Sequence, residues 1–339
     1  MIYNIVDSIK GGCGKTSFSL MLASALYNEK KEQPPCLFDM DFQGTSLAYL
    51  LFGKKAGKDW KKSIGLDMFL NERVVSPKDK RVHYLIKAEW RGDSNNEDLY
   101  SSGSDLKSAF YVAMADPDPK KKDRYKERSN QNYSSEVTYE IFRYGLSRLL
   151  EADDLGTELP TTPQHVILDM PPTIDGYSDA ALGCLLNGHK HVNYFIMMTF
   201  DQSHIHITMD WFKDFLTKEQ SQNMPERIFF TFALTPRDRR QDMDSDADMI
   251  KLFTERTKWM RDIIKDEMNL SEELRDRIYF VVVGHNDEYY QLCCKQDGII
   301  TVPVDMSMPV IFIEDYKGNL EKDKATKVCL QVMNGGCLE

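Results

Sequence analysis

No run of about 18 apolar residues occurs in the chain, which argues against a transmembrane helix. The start of the chain also lacks a signal-peptide layout. The apolar run 2–6 is short and contains Asn4, and the charges of Lys10 and Lys15 prevent a longer one, so a cytoplasmic location is expected. The seven cysteines, Cys13, Cys36, Cys184, Cys293, Cys294, Cys329 and Cys337, form no CxxC pair. A chain of 339 residues does not need a disulfide framework, so free buried thiols are expected, with Cys293-Cys294 in a helix interior. Positive charge is not in excess. The formal net charge is −10, so any contact with nucleic acid would rest on a local patch rather than on the overall field. No internal repeat is found. What is present is the composition of a soluble globular protein, 42% hydrophobic and 28% charged, long enough for one large α/β domain or two smaller ones.

Short apolar runs bounded by polar residues predict strands at Ile2–Val6, Cys36–Met40, Ala109–Met114, His165–Met170, Val192–Met198, Ile228–Leu234 and Ile278–Val283. Phe18, Leu20, Met21, Leu22, Ala25 and Leu26 recur at helical spacing, and Glu29-Lys30-Lys31 with Pro34-Pro35 ends that helix. Further helical patterns cover Tyr139–Leu150, His204–Leu216, Asp248–Glu267 and Glu288–Lys295. This alternation predicts a doubly wound, mostly parallel central sheet with helices on both faces. We read 1–316 as one domain with insertions near 81–108 and 116–137, the polar stretches 87–105 and 116–136 being long loops. Residues 317–339, polar and broken by Gly335-Gly336, are expected to form a peripheral tail.

Between the first strand and the first helix lies Lys10-Gly11-Gly12-Cys13-Gly14-Lys15-Thr16, followed by Ser17. Glycines 11, 12 and 14 let the backbone turn sharply, so that successive N–H groups form an anion-binding concavity in front of a helix N-terminus. In such a loop Lys15 is placed to reach the β- and γ-phosphates, and the Thr16 hydroxyl to coordinate Mg²⁺. The ordinary G-x-x-x-x-G-K-[ST] pattern is incomplete, because Ile9 stands where its first glycine belongs, and Lys10 adds a second lysine. A magnesium site also needs oxygen donors at strand ends. Asp39 and Asp41 close the second strand, and Asp169 closes Val166-Ile167-Leu168-Asp169 ahead of Met170-Pro171-Pro172.

These segments resemble the ParA/MinD family of ATPases, which carry a deviant Walker A motif, and the likeness is to short members without an N-terminal helix-turn-helix. Lys10–Thr16 matches the first motif, including its signature lysine. Asp39-Met40-Asp41-Phe42-Gln43-Gly44 is similar to D-x-D-P-Q-G with Phe42 in place of proline, and Ile167–Pro172 to the Walker B segment I-I-D-x-P-P. Val283-Gly284-His285-Asn286-Asp287 resembles, weakly, the loop that borders the base. The likeness covers most of residues 1–75 and 138–305. It implies an ATP- and Mg²⁺-dependent homodimer in which Lys10 reaches the partner's phosphates, Asp41 orients the attacking water, and Asp39 and Asp169 with Thr16 hold the metal and its waters. It implies a cycle that positions DNA or a protein complex. Thr231-Phe232-Ala233-Leu234 stands where many members carry a base-contacting asparagine, which leaves the choice of base open.

Two other readings stay open: a small-molecule ligase or kinase on the same fold, and a nucleotide-dependent adaptor that hydrolyses little. Basic clusters at Lys54–Lys62 and Lys120–Arg128 read as solvated surface or as nucleic-acid patches, while a third at Arg237–Arg240 is followed by Asp242, Asp244, Asp246 and Asp248. His204, His206 and Asp210 do not share one helix face, so they are expected to line a helix start rather than hold a metal. No cysteine lies between Cys36 and Cys184, where related iron–sulfur reductases carry cluster ligands. The C-terminal piece lacks a basic helix with an aromatic apolar face, so no membrane anchor is expected.

Overall fold

The computed structural model describes residues 1–30, 32–41, 47, 85–90, 108–113, 163–171, 176–187, 191–219, 224–234, 246–284, 308 and 310–338. The strands are β1 (Ile2–Asp7), β2 (Cys36–Asp39), β3 (Leu85–Trp90), β4 (Ser108–Ala113), β5 (His165–Asp169), β6 (His191–Met198), β7 (Arg227–Ala233), β8 (Ile278–Val283), β9 (Val310–Asp315) and β10 (Leu320–Glu321). The helices are α1 (Lys15–Glu29), α2 (Gly176–Asn187), α3 (Gln202–Glu219), α4 (Asp246–Glu267), α5 (Glu272–Arg275) and α6 (Ala325–Met333).

Among the described residues all ten strands form one sheet in the order β10-β9-β8-β7-β6-β1-β5-β2-β4-β3. The seven from β8 through β4 run parallel, while β3, β9 and β10 pair antiparallel with their neighbours at the two sides. The central parallel strands β1, β5, β6, β7 and β8 are largely apolar because both of their faces are covered, with Asn4, Asn193 and Thr231 among the buried exceptions. All six residues of Ile278–Val283 are buried, for example. Alternate side chains feed two separate cores. On one face Tyr3, Ile5, Tyr194 and Ile196 meet α2, α3 and α4 through Leu182, Leu185, Ile205, Met209, Phe212, Phe253 and Ile264. On the other, Val6, Phe195 and Phe229 meet α1 and α6 through Phe18, Leu22, Cys329 and Val332. The apolar positions Ile205, Met209, Phe212 and Leu216 keep the spacing of one helix face, which is why α3 lies flat on the sheet.

The predicted strands are present with ends shifted by a residue, and α3 and α4 extend the helical patterns at His204–Leu216 and Asp248–Glu267. The structure adds β9 and α5, which were not predicted, and differs in three further places. Leu85–Trp90, partly within the expected loop 87–105, is an edge strand. Gly176–Asn187 is a helix that polar and small residues disguise. The C-terminal piece is not merely peripheral: β10 and α6 form there, and Ala325, Cys329, Leu330, Val332 and Met333 are buried. Val328, Cys329, Val332 and Met333 recur at helical spacing, a signal too short to outweigh the polar residues around it. The expected helices at Tyr139–Leu150 and Glu288–Lys295, Cys293-Cys294, the stretch 116–137 and the three basic clusters lie outside the described residues. Among the described residues no helix is long and apolar enough to cross a membrane.

Candidate nucleotide site

β1 sits at the centre of the sheet with β5 on one side and β6 on the other. The chain leaves β1 through α1 to β2 on the β5 side, and later runs outward through β6, β7 and β8 on the other. This reversal of direction opens a crevice at the carboxyl ends of the central strands, the usual ligand position in open α/β sheets. The loop 8–14 lies in that crevice.

Two backbone positions shape the loop. Gly12 and Gly14 have φ values of 80° and 81°, a region that side-chain-bearing residues rarely adopt. A Cβ at Gly12 would meet nothing within 4 Å, so the need for glycine there is conformational rather than steric. Gly14 is the N-cap of α1, which has no side-chain cap and no acidic residue in its first turn. The positive end of α1 is thus left without the carboxylate or hydroxyl that would ordinarily occupy it.

Lys15 opens α1 and is buried at 7% exposure, with its ammonium donating to Ser8 Oγ at 2.8 Å. Lys10 is exposed, and its ammonium lies 3.3 Å from Ser203 Oγ in the first turn of α3. Cys13 is buried in the loop, and its thiol donates to the Lys10 carbonyl at 3.1 Å. Burial pushes that thiol's pKa up, so it stays protonated. Gly11 is exposed, and Thr16 and Ser17 follow Lys15 in the first turn of α1, both half-buried.

The carboxylates gather beside this loop. Asp39 and Asp169 are register partners on β2 and β5, and both are buried. The Asp41 backbone N–H donates to Asp39 Oδ1 at 3.1 Å, so Asp41 is fixed at the exit of β2. Ser19 donates to Asp169 Oδ1 at 3.2 Å, and the Thr16 hydroxyl also bonds to Asp169. Burial raises the Asp169 pKa to about 6, against the lowering effects of Thr16, Lys15 and Ser19, while the Asp41 charge adds to the rise. Asp169 Oδ2 is buried and has no hydrogen-bond partner. An orphaned carboxylate oxygen of this kind calls for a cation or a donor. Among the described residues no group of three His, Cys, Asp or Glu side chains could hold a metal alone. Mg²⁺ does not require one, because it keeps several waters and takes one or two protein oxygens together with phosphate oxygens. The oxygen-only set of Thr16, Asp39 and Asp169 fits such an ion.

The structure therefore brings Lys15, Thr16, Asp39, Asp41 and Asp169 into one crevice and sets Lys10 at its rim. Ser8 and Ser19, which bond to Lys15 and Asp169, lay outside the motifs read from the sequence. Ser19 had a usable signal, since position 19 lies one turn beyond Lys15. His204 belongs to the start of α3, as expected. It is buried, its Nδ1 accepts the Thr199 N–H at 3.3 Å, and burial with the charges of Lys10 and Lys15 lowers its pKa despite Asp201. His206 instead packs edge-on against Trp259, so the two histidines do not converge. Of the segment resembling the base-bordering loop, residues 285–287 lie outside the described residues.

Sheet order, loop and crevice together define the α/β P-loop nucleoside-triphosphatase fold. The solved structures that share it include McdA and ParA, as the sequence resemblance implies. An ATP complex of Cyanothece McdA, an aspartate-to-alanine variant, superposes with a TM-score of 0.52 at 14% identity, covering 100% of this chain and 98% of its own. Apo McdA from Cyanothece gives 0.50 at 15% identity, covering 97% and 99%. The pNOB8 ParA gives 0.51 at 13% identity, covering 82% of this chain and 74% of its own. No protein-family model matches the chain, and no curated protein matches it in sequence.

Proposed function

We propose that the chain is an ATP-binding, ATP-hydrolysing switch of the ParA/MinD type, active as a homodimer and serving to position DNA or a protein complex. The observation that carries the reading is the pairing of an uncapped α1 N-terminus and a buried Lys15 with Asp169, whose buried Oδ2 lacks a partner. A cationic pocket for phosphate thus adjoins an anionic pocket for its counter-ion. The ATP-bound McdA of the same fold supports the choice of nucleotide.

In this reading the loop N–H groups and Lys15 bind the β- and γ-phosphates. Mg²⁺, when bound, neutralises charge on those phosphates, with Thr16, Asp39 and Asp169 as its protein-side holders. Asp41, held at the end of β2, orients the attacking water. Lys10, at the rim of the site, extends to the phosphates of a second subunit and stabilises the charge that develops during transfer. ATP then favours the closed pair and hydrolysis releases it.

Size-exclusion chromatography with ATP and with ADP, beside a phosphate-release assay, tests the reading. The wild type is expected to pair with ATP only and to turn it over, while Asp41→Ala keeps the ATP-bound pair and loses turnover. Undiminished turnover in Asp41→Ala would sink the role given to that residue. A wild type that binds ATP without turning it over would favour the adaptor reading instead.

A further inference from the structure

We propose that Ser8 is a positioning residue that holds both lysines of the phosphate loop and, through Lys15, sets the affinity for the polyphosphate chain. The inference rests on the nucleotide-binding reading above. The Ser8 hydroxyl accepts from the Lys15 ammonium at 2.8 Å and donates to the Lys10 carbonyl at 2.7 Å. One hydroxyl therefore joins the ammonium of one lysine to the backbone that carries the other. Water has little access to this link, since Ser8 is 0% and Lys15 7% exposed.

Ser8 is itself held by the sheet rather than by the loop. Its N–H donates to Asp7 Oδ1 at 2.8 Å, and Asp7 Oδ2 accepts the Tyr194 hydroxyl from β6 at 3.2 Å. Tyr194 is buried, with its ring against Trp211 and Phe215 of α3. Two adjacent central strands and a packed helix thus fix where the hydroxyl sits. The Cys13 thiol shares the Lys10 carbonyl with it at 3.1 Å, which closes the loop on itself.

The effect on affinity comes from the lysine side chain. Its long stem has much rotamer freedom to lose on gripping a phosphate. With one ammonium hydrogen on Ser8, the stem is ordered before a ligand arrives, and two hydrogens remain to be donated. Removing the hydroxyl frees Lys15 and leaves the Lys10 carbonyl with only the weak thiol donor. Serine at this position precedes the glycine-rich motif, so no motif reading would single it out.

The test uses the full chain as wild type, Ser8→Ala and Ser8→Thr. Calorimetric titration reads MgATP and ADP affinity, thermal melting checks folding, and amine acylation followed by mass spectrometry reads the reactivity of Lys15 without nucleotide. Ser8→Ala is expected to melt as a folded protein, to weaken both nucleotides by about tenfold, the size of one lost charge-assisted hydrogen bond, and to acylate at Lys15 several-fold faster. Ser8→Thr, which keeps the hydroxyl, is expected to restore both readouts. Should its extra methyl prevent folding, the acylation rate of Ser8→Ala decides. Unchanged affinity in Ser8→Ala, or weakening with no change at Lys15, overturns the positioning role. Failure of the wild type to bind either nucleotide overturns the nucleotide reading instead, and acylation still reports whether Ser8 holds Lys15.

Discussion

Asp39 and Asp169 face each other as register partners on adjacent parallel strands, both out of contact with solvent. Two carboxylates placed so close and so dry are unfavourable in themselves. The usual carboxylate pKa is the one an unfolded chain shows. For Asp169 burial moves it from 3.8 to about 6. Between these values the unfolded state binds fewer protons than the folded one, so stability falls as pH rises through the window and stays reduced above it.

Asp169→Asn removes that charge and keeps the shape. The nucleotide-free variant is expected to gain up to about 3 kcal/mol over wild type at pH 7.5 and little at pH 4, by urea unfolding. In the same variant Mg²⁺-dependent nucleotide affinity is expected to drop at least about tenfold. A variant both destabilised at pH 7.5 and normal in magnesium response would contradict the metal-holding role.

Gly14 supplies a second prediction. Its φ of 81° places it in the left-handed region, while a Cβ there would have only the Ala233 Cβ near it, at 4.0 Å. Gly14→Ala therefore suffers backbone strain without a clash, at about 1–2 kcal/mol. Denaturant midpoints measure the loss. Phosphate binding is expected to weaken as well, since the turn that aims the N–H groups depends on this residue. An unchanged midpoint would mean that the loop relaxes to a right-handed turn.

The fold was legible where both faces of a strand are covered. Ile278–Val283 announces itself as an unbroken apolar run, and Val192–Met198 as one broken only by Asn193, because parallel strands bury both sides. The edge strand Leu85–Trp90 carries Lys87 and Glu89, an alternation too brief to stand out from the polar stretch it enters. α6 was hidden by Lys324, Lys327 and Gln331, which leave a short apolar face to do the docking. In the site, Lys15, Thr16 and Asp169 could be named because motif spacing fixes them. Ser8 could not, because its role depends on Asp7 and on Tyr194, which lies 187 positions from Asp7 in sequence.

Beyond the site, at the opposite end of the sheet, a buried polar network fastens the C-terminal helix. His165 Nδ1 faces the Asn4 amide at 3.3 Å and Nε2 faces the Asn334 amide oxygen at 3.1 Å, which fixes the neutral tautomer with its proton on Nε2. Asn193 bridges Asn4 Oδ1 at 2.9 Å and the Met333 carbonyl at 3.1 Å. Burial lowers the His165 pKa from 6.5 to about 4, with Asn334 opposing. The stability this neutral histidine contributes is fully present above pH 6.5 and is lost as pH falls towards 4, by about 3 kcal/mol. His165→Gln is expected to lower stability at pH 7.5 and to remove this contribution to the pH dependence, read as the variant's difference from wild type in urea midpoints from pH 7.5 to 4, over which the opposite change at Asp169 is common to both. A wild-type limb as steep in the variant would assign the acid loss elsewhere.

Lys10 and Lys15 differ in what holds them, and that difference separates their roles. Lys15 is buried on Ser8, while Lys10 reaches across the rim to Ser203 Oγ at the start of α3. That contact is solvent-exposed and involves an uncharged partner, so it restrains Lys10 weakly, which the cross-subunit role proposed for Lys10 requires. Lys15→Ala removes the ammonium from the phosphate pocket and is expected to weaken ATP by about a hundredfold or more, as the loss of a desolvated charge pair does. Lys10→Ala is expected to leave ATP affinity of the monomer within about threefold, since a rim lysine contributes little to its own pocket. It should nonetheless lower turnover by at least about tenfold and remove the ATP-induced pair. Calorimetry at low protein concentration, phosphate release and size exclusion measure the three quantities separately. Equal loss of affinity in both variants would place Lys10 in its own subunit's site and remove the reason for a second copy.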